Sequence, residues 1–301
     1  LVTWYTQRMD KGLTGKKKIG LALSGGGARG FAHIGVIQEI ERLGIPIHCV
    51  AGTSMGALVG GWYATGKSVD DIAIILEKHP WKSFFEMKKV PWNVQGKGGL
   101  FSMERVERLL REYFGVIRID DLKTPYTAVA VSLKTGREVD ITSGDLVDAI
   151  IASGSVPIVF TPRKYGNDFL VDGGLLNNIP CDVCFRMGAD IVIGVDVGRP
   201  FSDLQLVSDQ GQLNFKPWDV YRVINVLLSV VGEAHAQARL ANDKVFVIRP
   251  YVSHIGSSAF DRVNELVRLG REAARAQEDA LRKFMGMESR EKTLLEKVAD
   301  F

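Results

Sequence analysis

The chain has 301 residues, 46% apolar and 24% charged, with a formal charge of +3; these are proportions of a folded soluble protein, in a length that fits one large α/β domain or two small ones. The weak positive charge does not argue for nucleic-acid binding, which would show a clustered basic face, and is compatible with contact to anionic lipid without demanding it. Three cysteines cannot make a disulfide framework and point to a reducing compartment, and no apolar run approaches the ~20 residues that cross a bilayer.

Residues 1–17 are polar and basic around Trp4 and Tyr5 and read as an N-terminal arm. They lack the apolar core and cleavage site of an intact signal peptide. The first residue is Leu1 rather than Met, so the chain reads as a processed form or a piece of something longer. Residues 19–23 are a short apolar run, expected as a buried parallel strand. A glycine-rich loop spans 24–30, and Phe31, Ile34, Ile37, Ile40 and Leu43 then share one helical face, ended by Gly44 and Pro46. A second short strand runs to Ala51, the turn Gly52-Thr53-Ser54-Met55-Gly56 follows, and residues 57–64 suit a helix. The first 65 residues therefore read as β–α–β–α on a parallel sheet.

Residues 69–78 read as a helix closed by His79-Pro80. The segment 81–101 has no clear periodicity and interleaves Trp81, Phe84, Phe85 and Trp92 with Lys82, Lys88, Lys89 and Lys97. It is expected as a lid or lipid-contacting loop, or else as a cover for the core or for a homodimer interface. Ser102 suits the cap of a helix over 103–114. Residues 126–132 and 137–142 read as two strands of a hairpin, 145–152 as a short helix, and 168–171 as a strand entering Asp172-Gly173-Gly174. A helix over 181–187 opens at Pro180, and 190–197 is a buried strand. The spacing predicts one long helix over 218–242, a strand over 245–248 and an amphipathic helix over 260–285, with a charged helical tail at 286–301. With no repeat or linker, residues 18–285 are expected as a single domain.

Three glycine-bearing loops, at 24–30, 52–56 and 172–174, each follow an expected strand. In an open parallel sheet such loops converge on one crevice. Gly52-Thr53-Ser54-Met55-Gly56 is a G-x-S-x-G pentapeptide, in which glycines permit a strained strand-to-helix turn that lifts Ser54 to a helix N-terminus. A serine needs a base, and none of His33, His48, His79, His235 and His254 sits in a post-strand glycine turn. Asp172 does, although Asp-Gly-Gly alone is a simple turn. His33, on the first helix, is expected to pack or hydrogen bond there. Gly25–Gly30 also fits the dinucleotide fingerprint, but no acidic residue ends the second strand to hold a ribose. The other use of such a loop is to give backbone N–H groups to an oxyanion. Cys181-Asp182-Val183-Cys184 lacks a second ligand pair and reads as buried helix packing.

Taken together, Gly25-Gly26-Gly27-Ala28-Arg29-Gly30, then Gly52-Thr53-Ser54-Met55-Gly56, then Asp172-Gly173-Gly174 resemble the patatin-like phospholipase family, in that order and across 18–197. The block Ala152-Ser153-Gly154-Ser155-Val156-Pro157, with Phe160-Thr161-Pro162 after it, is similar too. The resemblance implies a three-layer α/β/α fold with a mostly parallel central sheet. It also implies a Ser–Asp dyad: Ser54 as acylated nucleophile, Asp172 as base, the amides of Gly25, Gly26 and Gly27 as oxyanion hole with Arg29 bracing the loop, and Gly52 and Gly56 shaping the elbow. The implied activity is hydrolysis of phospholipid, lysophospholipid or related acyl esters, without metal or other cofactor. The implied location is cytoplasmic or peripheral to a membrane. A nucleotide-binding module using Gly25–Gly30 and a non-catalytic lipid-binding module are the rival readings.

Overall fold

The computed structural model describes residues 17–78, 99–101, 103–198 and 240–287. The expected arm, most of the 81–101 segment, the Ser102 cap, nearly all of the 218–242 helix and most of the tail lie outside the described residues. The strands are β1 (Ile19–Leu23), β2 (Ile47–Thr53), β3 (Gly99–Phe101), β4 (Tyr126–Ser132), β5 (Glu138–Ile141), β6 (Ile158–Phe160), β7 (Arg163–Tyr165), β8 (Asp168–Asp172), β9 (Ile191–Val195) and β10 (Val245–Ile248). The helices are α1 (Ala32–Arg42), α2 (Met55–Ala64), α3 (Val69–Lys78), α4 (Glu104–Phe114), α5 (Leu146–Ser153), α6 (Cys181–Arg186), α7 (Val263–Ala276) and α8 (Glu278–Met285).

One sheet runs β10–β9–β1–β2–β4–β8–β7, with β5 paired to β4 as well. The five strands from β10 to β4 are parallel, and β5, β8 and β7 pair antiparallel. Central β1 and β4 are buried along their whole length, which is why they read as unbroken apolar or small-residue runs and not as alternating ones. On one face, Leu21, Leu23, Val50 and Ile193 join the larger core with α1, α2 and α7. On the other, Ala22, Cys49, Ala51, Val129 and Val192 pack against Cys181, Val183 and Cys184 of α6. Helices on both faces make the three layers that the sequence leads one to expect. No helix among the described residues is long and apolar enough to cross a membrane.

The helix register follows the apolar stripe. Ile34, Ile37 and Ile40 of α1 are fully buried, each such side chain contributing about 1.5–3 kcal/mol. The structure departs from the sequence reading in one long element. The expected helix over 260–285 breaks at Gln277 (φ −107°, ψ 11°), leaving α7 and α8. The break lets Glu278, 6% exposed, meet Arg42 of α1 and accept from Arg282 Nε at 2.9 Å. Strands β6 and β7, three residues each, were too short to leave a period in the sequence.

Helices α1 and α7 cross in backbone contact. A Cβ on Gly35 would lie 1.9 Å from the Val267 carbonyl oxygen, and one on Gly270 would lie 1.9 Å from that of Ala32. Gly270→Ala must therefore push the helices apart. It is expected to cost about 1–3 kcal/mol, read as a lower urea midpoint at unchanged slope.

Candidate active site

Strand β2 ends at Thr53 and α2 begins at Met55, so Ser54 alone makes the turn. Its backbone sits at φ 54°, ψ −119°, a region where a non-glycine residue costs on the order of 1–3 kcal/mol. The flanking glycines are required by contact. A Cβ on Gly52 would meet the Gly56 carbonyl oxygen at 2.4 Å, and one on Gly56 would meet that of Leu23 at 2.2 Å. Hydrogen bonds hold the strained turn in place. Ser54 N–H donates to Ser153 Oγ (2.9 Å), whose hydroxyl donates to the Val129 carbonyl (2.6 Å). Thr53 Oγ1 donates to the Asn177 carbonyl (2.8 Å).

The position of Asp172 follows from strand register. Val50 to Thr53 of β2 pair with Tyr126 to Val129 of β4. Asp172 of β8 pairs with Ala130, the next residue of β4, and β8 runs the other way. Strand β5 already pairs with Ala128 to Val131. Strands β2 and β8 therefore share the opposite edge of β4 and meet end to end, C-terminus to C-terminus. This corrects one step of the sequence reading: the first two glycine loops leave parallel strands, but the third arrives antiparallel.

The Ser54 hydroxyl lies beside the Asp172 carboxylate and favours its charged form, and Gly174 N–H donates to Asp172 Oδ1 at 2.8 Å. Asp172 is 3% exposed. Burial pushes its carboxyl up to about 6, and the nearby Ser54 hydroxyl and the bond from Gly174 only partly offset this. No histidine hydrogen bonds to Ser54 among the described residues. Buried His33 faces the Ser24 carbonyl through Nε2 (2.8 Å), and His254 stacks on Tyr251.

The glycine loop lies against the same serine. A Cβ on Gly25 would be 3.2 Å from Ser54 Cβ. The Gly25 amide is already engaged, donating to the Asn178 carbonyl at 3.2 Å. The Gly26 and Gly27 amides, at the start of a 3-10 turn over Gly27–Phe31, have no hydrogen-bond partner among the described residues. Arg29, 7% exposed, donates from Nε to the Gly26 carbonyl (3.3 Å), which ties down the turn. So the structure brings together Ser54, Asp172, Gly25, Gly26, Gly27 and Arg29, with Gly52 and Gly56 beneath them.

Three residues in this assembly escaped the sequence reading. Ser153, within the block before Pro157, braces the elbow amide. Asn177 and Asn178 lie just past the Asp172 turn, and their carbonyls hold Thr53 and Gly25 respectively. Asn177 is itself fixed, donating from Nδ2 to Asp182 Oδ1 (2.8 Å) and Glu138 Oε1 (3.3 Å). Arg186 binds Glu138, Asp140 and Asp182 behind it. The doubled asparagine before Ile179-Pro180 was the available signal. Cys49, Cys181 and Cys184 are buried free thiols, and burial raises that of Cys181 to about 12. Among the described residues no group of three or more His, Cys, Asp or Glu side chains is placed to hold a metal.

A family model described as patatin-like phospholipase matches residues 21–185. An uncharacterized NTE family protein of Mycobacterium tuberculosis, MT2641, is 31% identical over 274 residues, 86% of this chain and 46% of that protein. Neuropathy target esterase sws of Drosophila melanogaster is 32% identical over 286 residues, 87% of this chain and 20% of that protein. The chain thus spans about half the length of the mycobacterial relative and a fifth of the fly protein. Among solved structures, VipD from Legionella pneumophila aligns over 88% of this chain and 67% of its own, with a TM-score of 0.50 and 14% identity, a likeness of fold.

The burial of Asp172 has a consequence for stability. Its carboxyl titrates at about 6 in the native chain and at about 3.9 when unfolded. Well below pH 4 it is protonated in both states and costs nothing. As pH rises through 6 the native state resists losing a proton that the unfolded chain has already lost, so stability falls. Asp172→Asn, neutral throughout, is expected to gain on the native sequence between pH 4 and pH 8 by on the order of 3 kcal/mol. Urea unfolding of both proteins at the two pH values measures this.

Proposed function

The chain belongs to the patatin-like phospholipase family, and from that premise we propose that it is a serine acyl hydrolase of phospholipids, lysophospholipids or related acyl esters. The observation that carries the reading is the placement of the Ser54 hydroxyl beside the buried Asp172 carboxylate, whose charged form it favours, next to the Gly26 and Gly27 amides, which have no hydrogen-bond partner among the described residues. In this reading Ser54 Oγ attacks the ester carbonyl carbon while Asp172 takes the hydroxyl proton. The carbonyl oxygen becomes the oxyanion and receives the Gly26 and Gly27 N–H groups. Collapse breaks the bond to the alcohol, which leaves with the proton returned by Asp172. Water then repeats the sequence on the acyl-enzyme, Asp172 again accepting and returning one proton, and free Ser54 and the fatty acid result.

Physical chemistry supports these roles. A carboxylate at its solution value is a weak base for a hydroxyl, but one lifted to about 6 stands closer to working pH, where general-base catalysis is most effective. Backbone donors set in advance and desolvated are worth about 2.7–4 kcal/mol each to a developing oxyanion. The amide of Gly25, bound to Asn178, leaves that work to its two neighbours. The strained, hydrogen-bonded elbow keeps Oγ at the start of α2, where the helix dipole favours negative charge. Residues 18–285 are the catalytic unit in this proposal, and 81–101 its lid or lipid-facing loop, working at a membrane surface.

Ser54→Ala is expected to abolish turnover of p-nitrophenyl acyl esters and lysophospholipid, and Asp172→Asn to lower kcat by about 10²-fold or more, with the fold kept. For the unmodified chain, kcat/KM should rise with pH through an apparent pKa near that of Asp172, about 6. A rate independent of pH between 5 and 8, or an active Asp172→Asn, contradicts the assignment of the base.

A further inference from the structure

The peptide unit joining Ser24 to Gly25 is held at both poles. Its carbonyl oxygen faces His33 Nε2 at 2.8 Å, and its N–H donates to the Asn178 carbonyl at 3.2 Å. A carbonyl only accepts, so Nε2 carries the imidazole proton. His33 is 0% exposed, and its Nδ1 has no hydrogen-bond partner among the described residues. A bare buried nitrogen costs on the order of 1–3 kcal/mol. Burial also pulls the ring's pKa down to about 4, which keeps it neutral. An imidazole that only filled space would be replaced at no loss by a hydrocarbon. Here the one side-chain hydrogen bond it makes among the described residues is to the residue before Gly25-Gly26-Gly27.

Planarity makes that bond consequential. In a trans peptide the C=O and N–H point in opposite directions, so fixing both ends fixes the plane. The rest of Ser24 is clamped as well: its N–H donates to the Val195 carbonyl (3.1 Å), and its Oγ accepts from Val197 N–H (2.9 Å). The orientation of this unit sets where the following amides of Gly26 and Gly27 point. A glycine run has no side chains of its own to resist a peptide flip.

We infer that His33 is a positioning residue for the oxyanion loop, acting through the Ser24 carbonyl with Asn178 as its counterpart on the other side of the peptide. The inference rests on the acyl-hydrolase reading above. His33 touches no reacting atom. It serves the transition state because it sets donors that the ground-state ester needs little, so its loss falls on kcat and not on KM.

The test compares His33→Phe, which keeps a ring but no donor, with His33→Gln, whose side-chain amide reaches the place of Nε2. Both are assayed on p-nitrophenyl butyrate beside the unmodified chain, with folding checked by circular dichroism. His33→Phe should lose roughly tenfold or more in kcat at nearly constant KM, a part of the roughly 10²–10³ that loss of a whole oxyanion donor costs. His33→Gln should recover most of it. If His33→Phe does not fold, His33→Asn replaces it, since its shorter amide reaches only the place of Nδ1, and it should show the same kcat loss. A folded Phe or Asn variant with unchanged kcat, a loss confined to KM, or no recovery in Gln overturns the inference while leaving the hydrolase reading intact. No turnover by the unmodified chain overturns both.

Discussion

The site depends on two strands sharing one edge of a third. Strand β4 is long enough to pair first with β2 and then, over its last residues, with β8 running the other way. Two C-termini are thereby brought face to face, with Ser54 leaving one and Asp172 ending the other. Neither side chain needs a long loop to reach its partner. The distance between them is set by backbone ladders in the middle of the fold, the most precise means a protein has of placing two groups. The antiparallel entry of β8 into an otherwise parallel half-sheet is what makes this meeting geometrically available.

Several local penalties gather at that junction. Ser54 occupies a backbone region suited to glycine, Asp172 is buried with its carboxyl raised, and among the described residues the Gly26 and Gly27 amides and His33 Nδ1 have no hydrogen-bond partner. Each is unfavourable to folding, and each is matched by a neighbour that enforces it. Ser153 and Asn177 tie the elbow, Gly174 holds the carboxylate, and Arg29 and Asn178 hold the glycine loop. The ion-pair network of Arg186 with Glu138, Asp140 and Asp182 supports Asn177 from outside. Strain and desolvation of this kind collect where chemistry is done and are offset by packing elsewhere. Here the offset includes the apolar stripe of α1 and the backbone contact of α1 with α7.

Much of this was legible from residue types. The glycines of the elbow announced a turn that admits no side chain, and the structure shows carbonyl oxygens within 2.4 Å of where those side chains would be. The apolar spacing from Phe31 to Leu43 gave α1 its face, and the unbroken small-residue runs of β1 and β4 marked the buried sheet. Other features left no local trace. That β8 runs antiparallel is a matter of long-range pairing with β4, and no period in residues 168–172 encodes it. The break at Gln277 sits beside an ion pair between buried Glu278 and the more exposed Arg42, more than two hundred residues earlier in the chain. Asn177 and Asn178 act through backbone carbonyls, which every residue possesses, so side-chain chemistry could not single them out. His33 was visible as a residue, but the peptide it clamps was not.

The central claim is that Ser54 becomes acylated with Asp172 as its base. Intact-protein mass spectrometry on enzyme quenched with acid during turnover of a slowly deacylated p-nitrophenyl ester tests it most directly, followed by peptide mapping of the adduct. The account predicts one acyl group per chain, located on Ser54, formed at a rate that falls sharply in Asp172→Asn. An acyl group on any other residue, or ester turnover with no adduct under conditions where deacylation limits the rate, would contradict it.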